Sequence, residues 1–169
     1  TEDRKLRGLL LDKGMRVNLT LQALARFGRV LIDRKAEDAA LAQAIREFDI
    51  RAGSKDVLVG NLSGGNQQKL SLAKVMQSEP RILIVDEPTR GIDIGTKQQI
   101  YIFLRTLADA GHAIIVVSSE MQEIIGLSDR VLVMRQGRIA ATLDGPDITE
   151  DAIVRHAMGV GGNSSERAA

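Results

Sequence analysis

Two neighbouring segments constrain this chain most: Gly60–Lys69, which reads GNLSGGNQQK, and 81–89, which reads RILIVDEPT. A Ser-Gly-Gly turn that opens a helix presents bare backbone N–H groups, and such groups favour an anion. The apolar run predicts a buried strand that carries Asp86 and Glu87 at its C-terminal end. Paired carboxylates at a strand end suit Mg²⁺ and an attacking water. The two segments therefore predict an anion site and a metal site on one chain.

Each segment also has a purely structural explanation. Ser63 could be an ordinary helix N-cap, and the strand could simply meet a turn at Pro88, because the residue before a proline avoids helix. The order of the segments, the short helical spacer between them and the residue types favour the functional interpretation.

The rest of the chain alternates strands and helices after a helical first part. Leu41, Ala44, Ile45 and Phe48 recur at the spacing of one helix face. Beyond residue 60 the patterns predict helices over 66–77, 96–110, 120–126 and 148–158, strands buried on both faces over 82–85 and 113–117, and a hairpin of strands 131–134 and 138–143. This order favours an α/β fold with a mainly parallel sheet. We expect a helical subdomain over 1–78, an α/β core over 79–158 and a disordered tail over 159–169.

Composition excludes several classes of function. The net charge is +1 and aromatic residues make up 2% of the 169 residues, so neither a basic face nor a stacking platform for nucleic acid is indicated. The chain has no cysteine, which excludes disulfides, thiolate metal sites and cysteine nucleophiles. No apolar run reaches the roughly 20 residues of a membrane-spanning helix. The first residue is Thr1, and the chain reads as an excised piece of a longer protein.

At these motifs the chain resembles the ATP-binding-cassette (ABC) ATPases. Within that family it is similar to the C-terminal part of the second nucleotide-binding domain of bacterial monosaccharide importers of the ribose, galactose or xylose type. The stretches that carry the resemblance are 2–5, 62–69, 86–93, 118–121 and 128–134. The resemblance implies a partial P-loop NTPase core with a helical signature subdomain. The phosphate-binding Walker A loop is missing from the sequence.

The resemblance assigns Ser63, Gly64 and Gly65 to the signature motif, which faces the γ-phosphate of ATP held by another cassette. Glycine is needed there because a Cβ would block close backbone approach. Gln67 resembles a polar signature position that contacts the ribose or the phosphates. An exposed helix residue without such a contact is the alternative for Gln67.

In the same family, Asp86 is the Walker B carboxylate that holds Mg²⁺, and Glu87 is the catalytic carboxylate that polarises the attacking water. A turn carboxylate is the alternative for Glu87. Asp93 falls in the D-loop, which carries signals between cassettes, although it could instead cap the helix that begins near residue 96.

Two positions depart from the family pattern. Ser119 aligns with the switch histidine, and a hydroxyl can hydrogen-bond a phosphate but cannot carry the charge of His⁺. Helix capping by Ser119 is the alternative. Glu2 stands where other cassettes have the Q-loop glutamine. Because Walker A is missing, we expect the chain to be inactive alone.

The resemblance implies an ATPase subunit that binds ATP and Mg²⁺ and energises monosaccharide uptake. Its partners would be another cassette, membrane permease subunits and, indirectly, a periplasmic sugar-binding protein, with no nucleic acid. Its place would be the cytoplasmic face of the inner membrane. One alternative is a non-catalytic cassette half that completes its partner's ATP site and relays motion. Another is a chromosome-maintenance ATPase, against which the absence of coiled-coil heptads counts.

Overall fold

The computed structural model describes residues 8–28 and 30–159. The chain divides into two compact units, Thr1–Val117 and Ser118–Ala169. The division between the units lies between residues 117 and 118. The domain boundary predicted from the sequence, between residues 78 and 79, stays a prediction. The expectations for Glu2, for the stretch 2–5 and for the tail beyond residue 159 lie outside the described residues. Among those described, no helix is both long and apolar enough to cross a bilayer.

The first unit begins with helices packed around an apolar core. Its helices are α1 (Met15–Thr20), α2 (Leu24–Phe27), α3 (Arg34–Glu47), α4 (Gly64–Met76) and α5 (Ile94–Asp109), with short 3₁₀ turns at Leu21–Ala23 and Val59–Asn61. The predicted face of α3 is confirmed, since Leu41 and Ala44 are buried and Ile45 packs against them. Leu70 and Ala73 of α4 enter the same core, so the core fixes α4, which carries the signature motif.

A two-stranded parallel sheet follows, with β1 (Ile82–Asp86) beside β2 (Ala113–Val117). Both strands lie where the apolar runs predicted them. The prediction that both faces are buried is wrong: Leu83 and Val85 are buried, but Ile84 is 66% exposed and Ile115, opposite it, is 51% exposed. Side chains alternate between faces along a strand, and here one face alone is covered.

We expect this exposed sheet face to make the isolated chain self-associate, because apolar patches and open sheet edges recruit other chains. Light scattering at micromolar concentration should show dimers or larger species. Ile84→Lys should shift the chain toward a monomer of 18.3 kDa. Ile102→Lys, which changes an equally exposed isoleucine on α5, is the matched control and should leave association unchanged. A monomeric parent chain would contradict the expectation.

The second unit contains a helix, a β-hairpin and a closing helix. These are α6 (Met121–Leu127), β3 (Arg130–Arg135), β4 (Arg138–Asp144) and α7 (Glu150–Met158). The hairpin is confirmed: the strands pair antiparallel, and Gln136 and Gly137 both have positive φ, as a tight hairpin turn requires. Val131, Val133, Leu143 and Ile153 form the centre of its own small core.

Candidate functional site

The signature turn opens α4 directly. The helix begins at Gly64, two residues before its predicted start, and Ser63 is the N-cap. The Ser63 hydroxyl accepts hydrogen bonds from the Asn66 backbone N–H at 3.4 Å and from Asn66 Nδ2 at 2.9 Å. Capping by Ser63 is thus confirmed. The N–H groups of Gly64 and Gly65 are in the first turn, where no helical carbonyl lies four residues back. The turn therefore combines a serine hydroxyl, first-turn amides and the positive end of a helix.

Gln67 is buried at the start of α4, and its contact with the ribose or the phosphates stays a prediction. Its side chain is 4% exposed, so the alternative of an exposed helix residue is wrong. Its Nε2 donates to the carbonyls of Val59 at 3.2 Å and Leu62 at 3.1 Å. These bonds fasten the chain that leads into the signature turn to α4.

Asn66 is a site residue that sequence reasoning missed. Its Nδ2 reaches Ser63 Oγ, and its Oδ1 accepts from the backbone N–H of Arg51 at 2.8 Å. Its position three residues after Ser63 could have indicated this role, because the side chain of the third residue after an N-cap commonly folds back onto the capping residue. Asn66 thus connects the signature serine to the loop at residue 51.

That loop is held by charge as well. Asp49 has a positive φ of 46°. The largely buried Lys69 donates from Nζ to the Asp49 carbonyl at 2.8 Å and lies 3.4 Å from its carboxylate. Arg51 pairs with the same carboxylate at 3.2 Å. The Arg51 hydrogen bond, supported by Lys69, holds the pKa of Asp49 below its usual range. Two cations, Arg51 of this loop and Lys69 of α4, therefore surround the Asp49 carboxylate.

Asp93 caps α5, so the capping role considered for it is confirmed. Its carboxylate accepts from the Thr96 backbone N–H at 3.0 Å and from the Thr96 hydroxyl at 2.8 Å. The hydroxyl bond, followed by the backbone bond, holds the pKa of Asp93 below its usual range. Thr96 also abuts the signature turn: a Cβ added at Gly65 would stand 2.7 Å from Thr96 Cγ2 and 2.8 Å from its Oγ1. The structure thus brings Gly65 and Asp93 together through Thr96.

Asp86 and Glu87 lie at the C-terminal end of β1, as predicted. Asp86 is the last residue of the strand and pairs in register with Val117. Glu87 has a positive φ of 47°, and its N–H donates to the Val117 carbonyl at 2.8 Å. A left-handed conformation in a non-glycine residue costs about 1–3 kcal/mol and concentrates at functional sites. The turn therefore holds the Glu87 backbone in a conformation that non-glycine residues seldom adopt.

The carboxyl end of β1 also fits a magnesium ion. In the described part of the chain, no three His, Cys, Asp or Glu side chains form a metal-binding group. Mg²⁺ usually needs no such group, because it keeps several waters and binds one or two carboxylates together with substrate phosphates. Asp86, which is half-buried at the strand end, suits that mode as a single carboxylate ligand.

Ser119 belongs to the second unit and is exposed. The alternative of helix capping by Ser119 is wrong, because α6 begins at Met121 with Glu120 as its N-cap. At this helix start, the hydroxyl oxygen of the neighbouring Ser118 accepts a hydrogen bond from the Glu120 N–H at 3.0 Å. Capping therefore does not account for Ser119.

Comparison with solved structures shows the fold. The chain matches a dimeric post-hydrolysis structure of the ATP-binding cassette MJ0796 bound to ADP and Pi with a TM-score of 0.69, at 20% identity, covering 80% of this chain and 58% of that one. It matches the ADP conformation of the cassette MJ1267 with a TM-score of 0.70, at 19% identity, covering 89% and 64%. The predicted partial α/β cassette fold is confirmed.

Comparison with protein sequences shows the family. A family model described as ABC transporter matches residues 7–90. The ribose import ATP-binding protein RbsA of Roseobacter denitrificans is 48% identical over 160 residues, which are 94% of this chain and 31% of that protein. RbsA 2 of Burkholderia pseudomallei (strain 1710b) is 49% identical over 165 residues, covering 94% and 32%. The chain spans about a third of the length of these curated relatives. As its motifs predicted, it belongs to the ABC transporter family.

Proposed function

We propose that this chain is part of the ATP-hydrolysing subunit of an ABC importer for a monosaccharide. The observation that carries the proposal is its near 50% identity to ribose import ATP-binding proteins over almost its whole length. The signature turn and the acid pair add the chemistry that such a subunit needs. The sugar itself is recognised elsewhere, by the binding protein and the permease.

The signature turn would act on ATP held by another cassette. The Ser63 hydroxyl and the first-turn amides of Gly64 and Gly65 would donate to the γ-phosphate, and the dipole of α4 would add partial positive charge. Phosphoryl transfer depends mainly on such positioning and charge neutralisation. Gln67 would serve this site indirectly, because its amide nitrogen is bonded to Val59 and Leu62.

The acid pair would serve ATP bound to its own cassette. Asp86 would hold Mg²⁺, which when bound neutralises charge on the phosphates. Glu87 would orient the attacking water and take up its proton. Asp93 would place the D-loop against the partner cassette. Ser119 would hydrogen-bond the γ-phosphate in place of the usual histidine.

A non-catalytic cassette half is the second candidate, and Ser119 is the observation that favours it. A serine cannot supply the positive charge of a protonated histidine. Such a half would complete the partner's ATP site and relay motion. The presence of both Asp86 and Glu87 favours the catalytic proposal.

Full activity would need parts outside this chain. The partners would be another cassette, the permease subunits and, through them, a periplasmic sugar-binding protein. The protein would act at the cytoplasmic face of the membrane. Because no Walker A sequence occurs in these 169 residues, we propose that the chain alone does not hydrolyse ATP.

Reconstitution tests this function. The full-length ATPase, its permease and its binding protein in vesicles should release phosphate faster when a monosaccharide such as ribose is added. The isolated chain should release no more phosphate than buffer. Turnover that does not respond to any monosaccharide would contradict the importer proposal, and turnover by the isolated chain would contradict the need for Walker A.

A further inference from the structure

We propose that Thr96 is a positioning residue that joins the signature turn and the D-loop carboxylate into one rigid element, and that residue 65 must be glycine because of Thr96. This inference deepens the proposed function and rests on it for its catalytic consequence. It concerns a packing contact within this chain, distinct from the approach of a phosphate.

The contact leaves no room for a side chain at residue 65. Gly65 is buried, and a Cβ there would lie 2.7 Å from Thr96 Cγ2, 2.8 Å from Thr96 Oγ1 and 3.2 Å from Thr96 Cβ. Carbon atoms in contact normally stand about 3.5–4.0 Å apart. The first turn of α4 therefore rests directly on the first turn of α5.

Rotating the Thr96 side chain cannot open that space. Threonine has two heavy atoms and one hydrogen on Cβ, and both heavy atoms face Gly65. Any other staggered χ1 leaves at least one heavy atom in a position that faces Gly65. Rotation would also break the 2.8 Å bond from the Thr96 hydroxyl to Asp93. A larger residue at 65 must therefore move α4 relative to α5.

The same side chain fixes Asp93. The Thr96 hydroxyl donates to one carboxylate oxygen and the Thr96 backbone N–H donates to the other, at 2.8 and 3.0 Å. Because this hydroxyl lies against Gly65, the signature turn and Asp93 share one support. A partner cassette would therefore contact the signature turn and Asp93 as one preformed surface.

The test is a double-mutant cycle in the full-length ATPase. Gly65→Ala should lower ATP turnover about tenfold or more in the otherwise unchanged protein, but by no more than about threefold when Thr96→Ala is already present, as expected for strongly coupled contacts. Gly126→Ala, in a helix where nothing lies within 4 Å of the added Cβ, is the control and should leave turnover unchanged. A Gly65→Ala loss of the same size with and without Thr96→Ala would overturn the proposal, since glycine would then serve phosphate approach. Wild-type turnover in Gly65→Ala would overturn it as well.

Two conservative variants separate positioning from general stability. Thr96→Val keeps the shape but loses the hydroxyl, so kcat should fall severalfold with KM unchanged, while Thr96→Ser should retain kcat. Equal kcat for the valine and serine variants would overturn the role assigned to the hydroxyl.

Two measurements that do not require ATP test the contact between Gly65 and Thr96 independently of the proposed function. Thermal unfolding of the chain should show a lower Tm for Gly65→Ala and a recovered Tm for the double variant. NMR titration should show a higher Asp93 pKa in Thr96→Val. If the full-length protein had no ATPase activity, the proposed function would fail, and these two measurements would still decide the contact. No recovery of Tm and no change in the Asp93 pKa would overturn it.

Discussion

Glu87→Gln is expected to lower ATP turnover of the full-length ATPase by about 10²–10⁴-fold, the usual contribution of a general base. The substitution keeps the size of the side chain and removes the charge that, in the proposed function, would orient and deprotonate water. It should also preserve the turn, because the Glu87 backbone N–H donates to the Val117 carbonyl and the substitution leaves that bond in place. ATP binding should therefore persist while hydrolysis stops. Phosphate release and nucleotide retention by the purified protein measure the two effects.

Glu79→Gln provides a matched control. Glu79 also has positive φ, and its exposed carboxylate pairs with Arg26 at 3.0 Å. An exposed ion pair contributes about 0–1 kcal/mol, so this variant should keep normal turnover. If Glu87→Gln changed turnover by less than about twofold, far below a general-base effect, the non-catalytic cassette half would be favoured instead.

The sequence predicted the strands well but not their environment. Continuous apolar runs located β1 and β2, and the Gln136-Gly137 pair located the hairpin. Continuous apolar runs have no period of two, however, so they do not reveal which face is covered. Ile84 and Ile115 suit burial by composition, and their exposure depends on what packs against the sheet.

The site shows a similar limit at the level of single side chains. The motif predicted the signature turn. Which of Asn66 and Gln67 contacts Ser63, however, depends on the residue at which α4 begins. Starting at Gly64, the helix directs Gln67 into the core and Asn66 toward Ser63. Likewise, the start of α6 at Met121 decides that Ser118 Oγ accepts from the Glu120 N–H. The contact between Gly65 and Thr96 joins residues 31 positions apart and has no local sequence signal.

Gly64→Asp is expected to abolish most transport while leaving the fold intact. Gly64 is the first residue of α4, where a carboxylate interacts favourably with the helix dipole by about 0.3–1 kcal/mol. The same carboxylate would face the γ-phosphate held by the partner cassette. Two like charges about 4 Å apart at an effective dielectric constant of about 20 repel by ~4 kcal/mol, or roughly 10³-fold. Sugar uptake by vesicles should fall accordingly, while the Tm stays at or above the parent value.

Gly64→Asn separates charge from size, because asparagine has the shape of aspartate without its charge. The asparagine variant should keep clearly more uptake than the aspartate variant. Nucleotide affinity should remain near normal in both, because in the proposed function Walker A loops outside this chain would hold most of the bound ATP. Equal damage from the two substitutions would assign the loss to steric contact. A matching loss of affinity at both ATP sites would contradict a signature turn that acts across the cassette interface, since residue 64 would then face only the partner's ATP.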